Sequence, residues 1–409
     1  MKKFLLSLIA LLGFSAYALG AGQVTVADAE ILQGGKGIAR VSISFPEGEF
    51  YRDFSFDIEL PDGITYVNST MGDACTSYHS MTPGERTECH GSGASDTKLL
   101  CLSNGVIANV EVQADADLAV GTELTGYLKT VEISDDNGNA AIRIESIPFT
   151  IRIVNSLVLD ENDELLPSAF AVGSKGNVTV KRTIKPNTWN TIVLPFVVKK
   201  NVAAEIFGAD AEYATFDGWT VEVEENEDGD PVPAKIKLQF KSRTVSAAAG
   251  NLLLAGTPYL IKTSQEVTEI PMNDVTLAAN KNVDKQFIEE DYSGAEFTGS
   301  FISTFTKTTI PEKGLFIRDG KFYYSKGQTV IKGFRGYFDL GLALDEVVPM
   351  EVKFEVFVDG EATPVEGVNL MMGNGAVYTI DGKFIGRDVD LKKLQKGIYV
   401  VNGKKIAIK

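Results

Sequence analysis

The chain has little of the chemistry on which most enzymes run. Its 409 residues include three cysteines and two histidines, and all five lie between Cys75 and Cys101. It has no HExxH, no G-x-S-x-G, no phosphate loop and no G-x-G-x-x-G after a strand. Basic residues are outnumbered, 39 Lys and Arg against 55 Asp and Glu, which gives a net charge of −16 and a pI near 4.7. With no cationic surplus to neutralise phosphates, nucleic acid and anionic membrane surfaces are excluded as partners. The acidity reads as solubility outside the cell. Long apolar runs are also missing. Phe4–Ala18, at 15 residues, is the longest and falls short of the roughly 20 a spanning helix needs, so no membrane span is expected. Stretches of helical period are brief.

What fills the chain instead is alternation. Val, Ile, Thr, Phe and Tyr recur at period two through nearly all of it, which predicts an all-β protein. A hydrophobic content of 44% with 39 glycines fits a globular chain, and the length predicts two or three domains. Residues 1–20 read as a signal peptide. Met1-Lys2-Lys3 is a positive start, Phe4–Ala18 an apolar core, and Ala16-Tyr17-Ala18 or Ala18-Leu19-Gly20 a small-x-small cleavage site. The mature chain is therefore expected to be secreted or held at the outer cell surface. No cysteine follows the cleavage site to carry a lipid.

The first mature domain is placed at residues 22–155. Ala39, Val41, Ile43 and Phe45 alternate with Ile38, Arg40, Ser42 and Ser44, one apolar face and one more polar. Phe54–Leu60 repeats the device, Pro61-Asp62-Gly63 turns the chain, and further strands fit 64–67, 98–102, 106–112, 123–134 and 141–153. Short, evenly spaced, half-apolar strands predict two sheets packed face to face. The segments LPDGITYV (60–67), SNGVIANVEV (103–112) and ADLAVGTELTGYLKTVEIS (116–134), in that order, resemble the cohesin-like domains of exported bacterial proteins. The resemblance implies a nine-stranded jelly-roll sandwich and a dockerin-like protein module as partner. Relatives of similar fold bind carbohydrate, so an extracellular glycan is the other implied ligand. No contact residue can be carried over.

Between two of these strands stands the one cluster of reactive side chains: Cys75, His79, Cys89, His90 and Cys101. Three chemistries compete there with a structural reading for Cys101. Zinc takes Cys and His, but the short C-x₂₋₄-C pairs that make such a site are absent. A Cys–His nucleophile pair needs the fold to bring ring and thiol together, and Cys89 and His90, adjacent on a strand, point apart. A disulfide between Cys75 and Cys89 suits an exported chain and would add about 3 kcal/mol by loop closure. Cys101, in LLCLS, reads as a buried strand residue.

The middle domain is placed at residues 156–353. Asp160, Asn162 and Glu164 are spaced like calcium ligands but lack the required glycine, as does Asp135–Asn139, so both read as solvated loops. Val178, Val180 and Arg182 alternate towards Trp189 and an apolar strand, 192–196. Trp189 is expected as a core anchor, with an exposed sugar platform as its alternative. Residues 202–207 are a helical candidate. The acidic run from Glu222 to Asp230 before Pro231-Val232-Pro233 reads as a hairpin tip. The segments WNTIVLPF, AGTPYLIK, FTGSF and IKGFRGYFDL resemble a β-rich module of exported Bacteroidota proteins, which implies class and address rather than an activity. Paired carboxylates of a glycosidase kind stay open, since 55 acidic residues permit many pairs.

Residues 365–409 form a small β-module. Val377–Ile380 and Ile398–Val401 are each followed by a type I′ turn signal, Asp381-Gly382 and Asn402-Gly403. The pattern of turn, Leu-rich spacer, GIYVV and GKKI resembles the C-terminal sorting domains of secreted Bacteroidota proteins, which implies an export machinery of the type IX kind as its reader. A closing hairpin of the preceding domain is the alternative. Together these features predict a non-catalytic, exported binding or scaffold protein. No cofactor, catalytic residue or metal site is assigned. A structural surface component and a paired-carboxylate hydrolase stand as the alternatives.

Overall fold

A computed structural model describes residues 14–18, 22–225, 231–286, 298–318, 320–340, 353–359, 361–362, 366–367, 377–379, 384–386, 397–401 and 404–408. The chain is all-β. Among the described residues the single α-helix is Lys200–Phe207, and no helix is long and apolar enough to cross a membrane. Two compact units divide it. Unit 1 comprises 1–160, 165–181 and 269–279, and unit 2 comprises 161–164, 182–268 and 280–409.

Unit 1 is built from β1 (Phe14–Ala18), β2 (Gln23–Ala27), β3 (Ala29–Leu32), β4 (Lys36–Ser44), β5 (Tyr51–Glu59), β6 (Ile64–Met71), β7 (His79–Thr82), β8 (Arg86–Gly91), β9 (Gly105–Ala114), β10 (Glu123–Asp135) and β11 (Ala140–Val154). One sheet has the order β1-β2-β4-β9-β6 and the other β3-β11-β10-β5-β8-β7. Of the apolar leader run, only β1 is described, antiparallel to β2. The alternation read from the sequence decides which face is inward. Ala39, Val41 and Ile43 of β4 are buried with Phe54, Phe56, Val110, Ile133, Phe149 and Ile151 from both sheets, while Arg40 and Ser42 point away.

The chain changes sheets at Asp28, whose carboxylate accepts the Thr150 N–H at 2.9 Å. β3 then runs parallel to β11. The sandwich is completed from beyond Asn155. Ser168 Oγ accepts the Glu30 N–H, the Ser168 carbonyl accepts the Ile38 N–H, and Ser174 Oγ accepts the Lys36 N–H at 2.7, 2.9 and 2.9 Å. These bonds satisfy main-chain donors that neighbouring strands leave open.

Three local expectations are corrected. Residues 97–100 form a 3₁₀ turn rather than a strand, because the Asp96 carboxylate accepts the Lys98 N–H and the Cys101 N–H closes on the Lys98 carbonyl. Cys101 caps that turn. The apolar run 192–196 leaves its sheet after Ile192, where the Val193 N–H bonds the Phe334 carbonyl instead and Pro195 further on has no N–H to give, yet Val193, Leu194 and Phe196 stay buried. The helix begins at Lys200, two residues before the predicted start.

Unit 2 packs two six-stranded sheets. Asn190–Ile192, Tyr259–Lys262, Glu212–Glu225, Pro231–Ser242, Lys353–Val358 and Glu361–Ala362 make the first. Val283–Gln286, Thr298–Thr304, Arg335–Asp339, Thr308–Arg318, Lys321–Ile331 and Glu366–Gly367 make the second. Their core is aromatic. Phe301 and Phe338, opposite each other across two strands, stack at 4.2 Å, and Phe216 and Phe240 meet them from the other sheet. Both turn pairs of the C-terminal module and the tip at 226–230 lie outside the described residues. The flanking strands nonetheless pair antiparallel, Val377–Thr379 with Phe384–Gly386 and Gly397–Val401 with Lys404–Ile408.

Both tryptophans, Trp189 and Trp219, belong to unit 2, so tryptophan fluorescence follows that unit alone. Phe338→Ala removes the ring on which Phe301 stacks and is expected to cost about 3–5 kcal/mol, seen as a lower urea midpoint for the fluorescence transition.

Candidate functional site

The cysteine and histidine cluster lies at the β5-β8-β7 edge of unit 1. On β8 the phase of the pleat turns Thr87 and Cys89 into the core and Arg86 and His90 out. Cys89 and His90 are therefore separated by their own strand. His79, on β7, is buried, and its ring is engaged by the main chain on both sides. Nδ1 accepts the Thr76 N–H at 3.0 Å, and Nε2 donates to the Arg52 carbonyl at 3.0 Å. A ring so held has no nitrogen left for a metal or a nucleophile. His90 is 64% exposed and 3.9 Å from Asp53. Among the described residues no group of three or more His, Cys, Asp and Glu side chains converges on a metal position.

The structure holds all three cysteines as free thiols. The bridge expected from Cys75 to Cys89 is not formed there, but the two side chains meet. The neighbouring Cys89 thiol lowers the Cys75 pKa, and the neighbouring Cys75 thiol, with burial, raises that of Cys89. Cys75 also hydrogen-bonds the Ile107 carbonyl at 3.4 Å. Burial pushes Cys101 up, and its thiol is held by the Thr97 carbonyl.

The other sequence candidates disperse. Trp189, expected as a core anchor, is buried and is not an exposed surface platform; Trp219 and Tyr51 are buried as well, and Tyr66 is half-buried. Asp135 accepts the Asn137 and Asn139 N–H groups of its own turn. Glu164 faces Lys307 at 3.9 Å.

The two outward faces of unit 1 differ. The β11-β10-β5-β8 face carries charges in pairs, Arg143 with Glu132, Arg152 with Glu123 and Arg86 with Asp57 across strands, and Arg86 with Glu88 along β8. The β2-β4-β9-β6 face presents Thr25, Ser42, Asn109 and Thr70, with Thr25 opposite Ser42 and Asn109 opposite Thr70. Its charges are few, one Lys36–Glu111 pair and Arg40, which donates to the Leu166 carbonyl.

Unit 2 holds a constellation that the sequence reading missed. Glu161 is buried and receives three cations: Lys332 on Oε1 at 3.0 Å, Arg335 on Oε2 at 2.5 Å, and Arg182 Nη1 near Oε2 at 3.6 Å. Arg182 is fully buried. Its Nη2 donates to the Thr191 carbonyl, while Nε and Nη1 have no hydrogen-bond partner. Burial lowers the pKa of Arg182, and the nearby Arg335 lowers it further. A cavity of about 490 Å³ adjoins the group, lined by Glu161, Lys332 and Arg335 together with Trp189, Thr191 and Phe316. One signal was present in the sequence, a cation at the inward phase of the Val178, Val180, Arg182 alternation.

No family model and no curated protein sequence matches the chain. Solved structures to which it is similar include cohesins. One, from a cohesin–dockerin complex of Clostridium thermocellum, is 11% identical, covers 33% of this chain and 100% of its own, and gives a TM-score of 0.29. The sixth cohesin of scaffoldin B from Acetivibrio cellulolyticus, in complex with a Cel5 dockerin mutant, is 13% identical over 34% of this chain and 99% of its own, TM-score 0.28. A non-cellulosomal cohesin from the archaeon Archaeoglobus fulgidus is 17% identical over 33% of this chain and 92% of its own, TM-score 0.26. No residue role passes from them to this chain.

In protein kept reduced, an alkylating reagent at pH 8 is expected to modify Cys75 first. Cys89 and Cys101 should react only on unfolding, as read by peptide mass spectrometry.

Proposed function

We propose that this chain is an exported, non-catalytic binding protein whose unit 1 displays a sheet face to a dockerin-like protein module. One observation carries the reading: the β2-β4-β9-β6 face has short polar side chains and few charges, whereas the opposite face has its charges paired across strands. The core of a protein interface is depleted in charge, so the first face is the one that a partner can cover at low desolvation cost. Dockerin is the partner named for the Clostridium thermocellum and Acetivibrio cellulolyticus cohesins. For this chain the class is proposed from the pattern of residues 60–134 and from that face. An extracellular glycan is the weaker reading for unit 1, because its Tyr51 is buried and its Tyr66 half-buried.

Export is supported by the basic start and apolar run at 2–18, with the 365–409 module as the address read by export machinery. In an oxidising compartment Cys75 and Cys89 would close as a disulfide. Their two thiols lose two protons and two electrons to a disulfide-bearing oxidant, which leaves as a dithiol.

The test uses the full mature chain, because Ser168 and Ser174 complete unit 1 from outside residues 22–155. A panel of dockerin modules is offered to immobilised protein. Thr70→Arg and Asn109→Arg are expected to weaken capture at least about tenfold, while Thr125→Arg on the opposite sheet leaves it unchanged. Capture that survives both face substitutions, or none across the panel, would overturn the reading.

A further inference from the structure

We infer that the cavity of unit 2 is a binding site for a small organic anion, its acidic group held by Arg335 and Lys332 and its body against Trp189 and Phe316. The inference is independent of the partner proposed for unit 1.

The charge balance comes first. Three cations share the one carboxylate of Glu161, which leaves two positive charges without an internal counter-charge among the described residues. In a chain of net charge −16 this is a local reversal of sign. Burial strengthens its field, because water screens it poorly there. Lys332 is 49% exposed and Arg335 23% at the side chain, so both reach the cavity side of the cluster, while Arg182 sits behind them at 0%.

Donor capacity comes second. A guanidinium has five N–H donors and an ammonium three, and Glu161 takes one bond from each of Arg335 and Lys332. Donors remain for a second carboxylate, the geometry in which Arg and Lys recognise acids.

The third element is a stiff frame. The Gly336 N–H donates to Thr191 Oγ1 at 3.1 Å, the Val193 N–H to the Phe334 carbonyl at 3.2 Å, and the Gly333 N–H to the Glu161 carbonyl at 2.8 Å. Phe334 takes a left-handed φ of 56°, and a Cβ at Gly333 would strike the Phe305 carbonyl. Lys332 and Arg335 thus project from a turn with little freedom, which reduces the ordering cost of binding. The volume, about 490 Å³, suits a ligand of one or two rings, and the lining mixes polar groups with Trp189, Phe316, Ile317 and Val330, which give an organic body apolar contact that a bare inorganic ion cannot use.

Isothermal titration of the full chain with mono- and digalacturonate, the matching neutral galactose sugars, and inorganic phosphate tests the inference. The acidic sugars are expected to bind roughly tenfold to hundredfold more tightly than the neutral ones and to weaken as salt rises. Phosphate should compete weakly. Lys332→Gln is expected to weaken binding about tenfold. Val330→Trp, which puts a bulky ring on the cavity lining, should abolish it, with circular dichroism confirming that both variants fold. Equal binding of neutral and acidic sugars, no binding by any anion, phosphate binding as tightly as the acidic sugars, or unchanged affinity in the two folded variants would each overturn it.

Discussion

Removing the Arg182 guanidinium from water is the constraint on which unit 2 depends. Burying one such ion costs several kcal/mol even after the surroundings relax, and the Thr191 carbonyl together with the shared Glu161 carboxylate offsets only part of that. Glu161 is therefore the keystone. Its two oxygens join a residue near the start of the unit to the Lys332–Arg335 turn, and the main chain adds the bonds from Gly333, Gly336 and Val193. The same arithmetic that stabilises the cluster leaves it cationic. Structure and binding potential have one origin there.

Unit 1 resolves its charges in another way. On the sheet containing β10 and β11, carboxylates and cations are matched across neighbouring strands. The opposite face keeps hydroxyl and amide groups that can exchange hydrogen bonds with water for hydrogen bonds with a protein. The histidines, which sequence alone leaves open to metal or nucleophilic chemistry, are assigned by hydrogen bonds: His79 is a structural ring bonded to main chain, and His90 is a surface side chain.

Much of the fold was legible because alternation is local. β4 could be assigned its inward face from Ala39, Val41 and Ile43 alone, and strands of the C-terminal module could be placed from runs flanking the Asp-Gly and Asn-Gly pairs of the sequence. Local chemistry also caused the errors. Asp96 capped a 3₁₀ turn inside an apolar stretch, and after Ile192 the Val193 N–H turned away from the ladder to the Phe334 carbonyl inside another. The charged cavity was not legible. Glu161 lies 171 residues from Lys332 and 174 from Arg335, and no spacing rule joins groups so distant. The one trace was Arg182 at a buried phase, which says that a partner must exist without saying where.

A double-mutant cycle between Glu161 and Arg182, followed by tryptophan fluorescence in urea, tests that keystone most directly. If Glu161 is the counter-charge of a buried guanidinium, Glu161→Gln costs about 3–5 kcal/mol in the native background, and its cost falls by about 1–3 kcal/mol once Arg182→Met has removed the buried charge. An equal cost in both backgrounds would mean that the two groups do not depend on each other, and the account of unit 2 would fail.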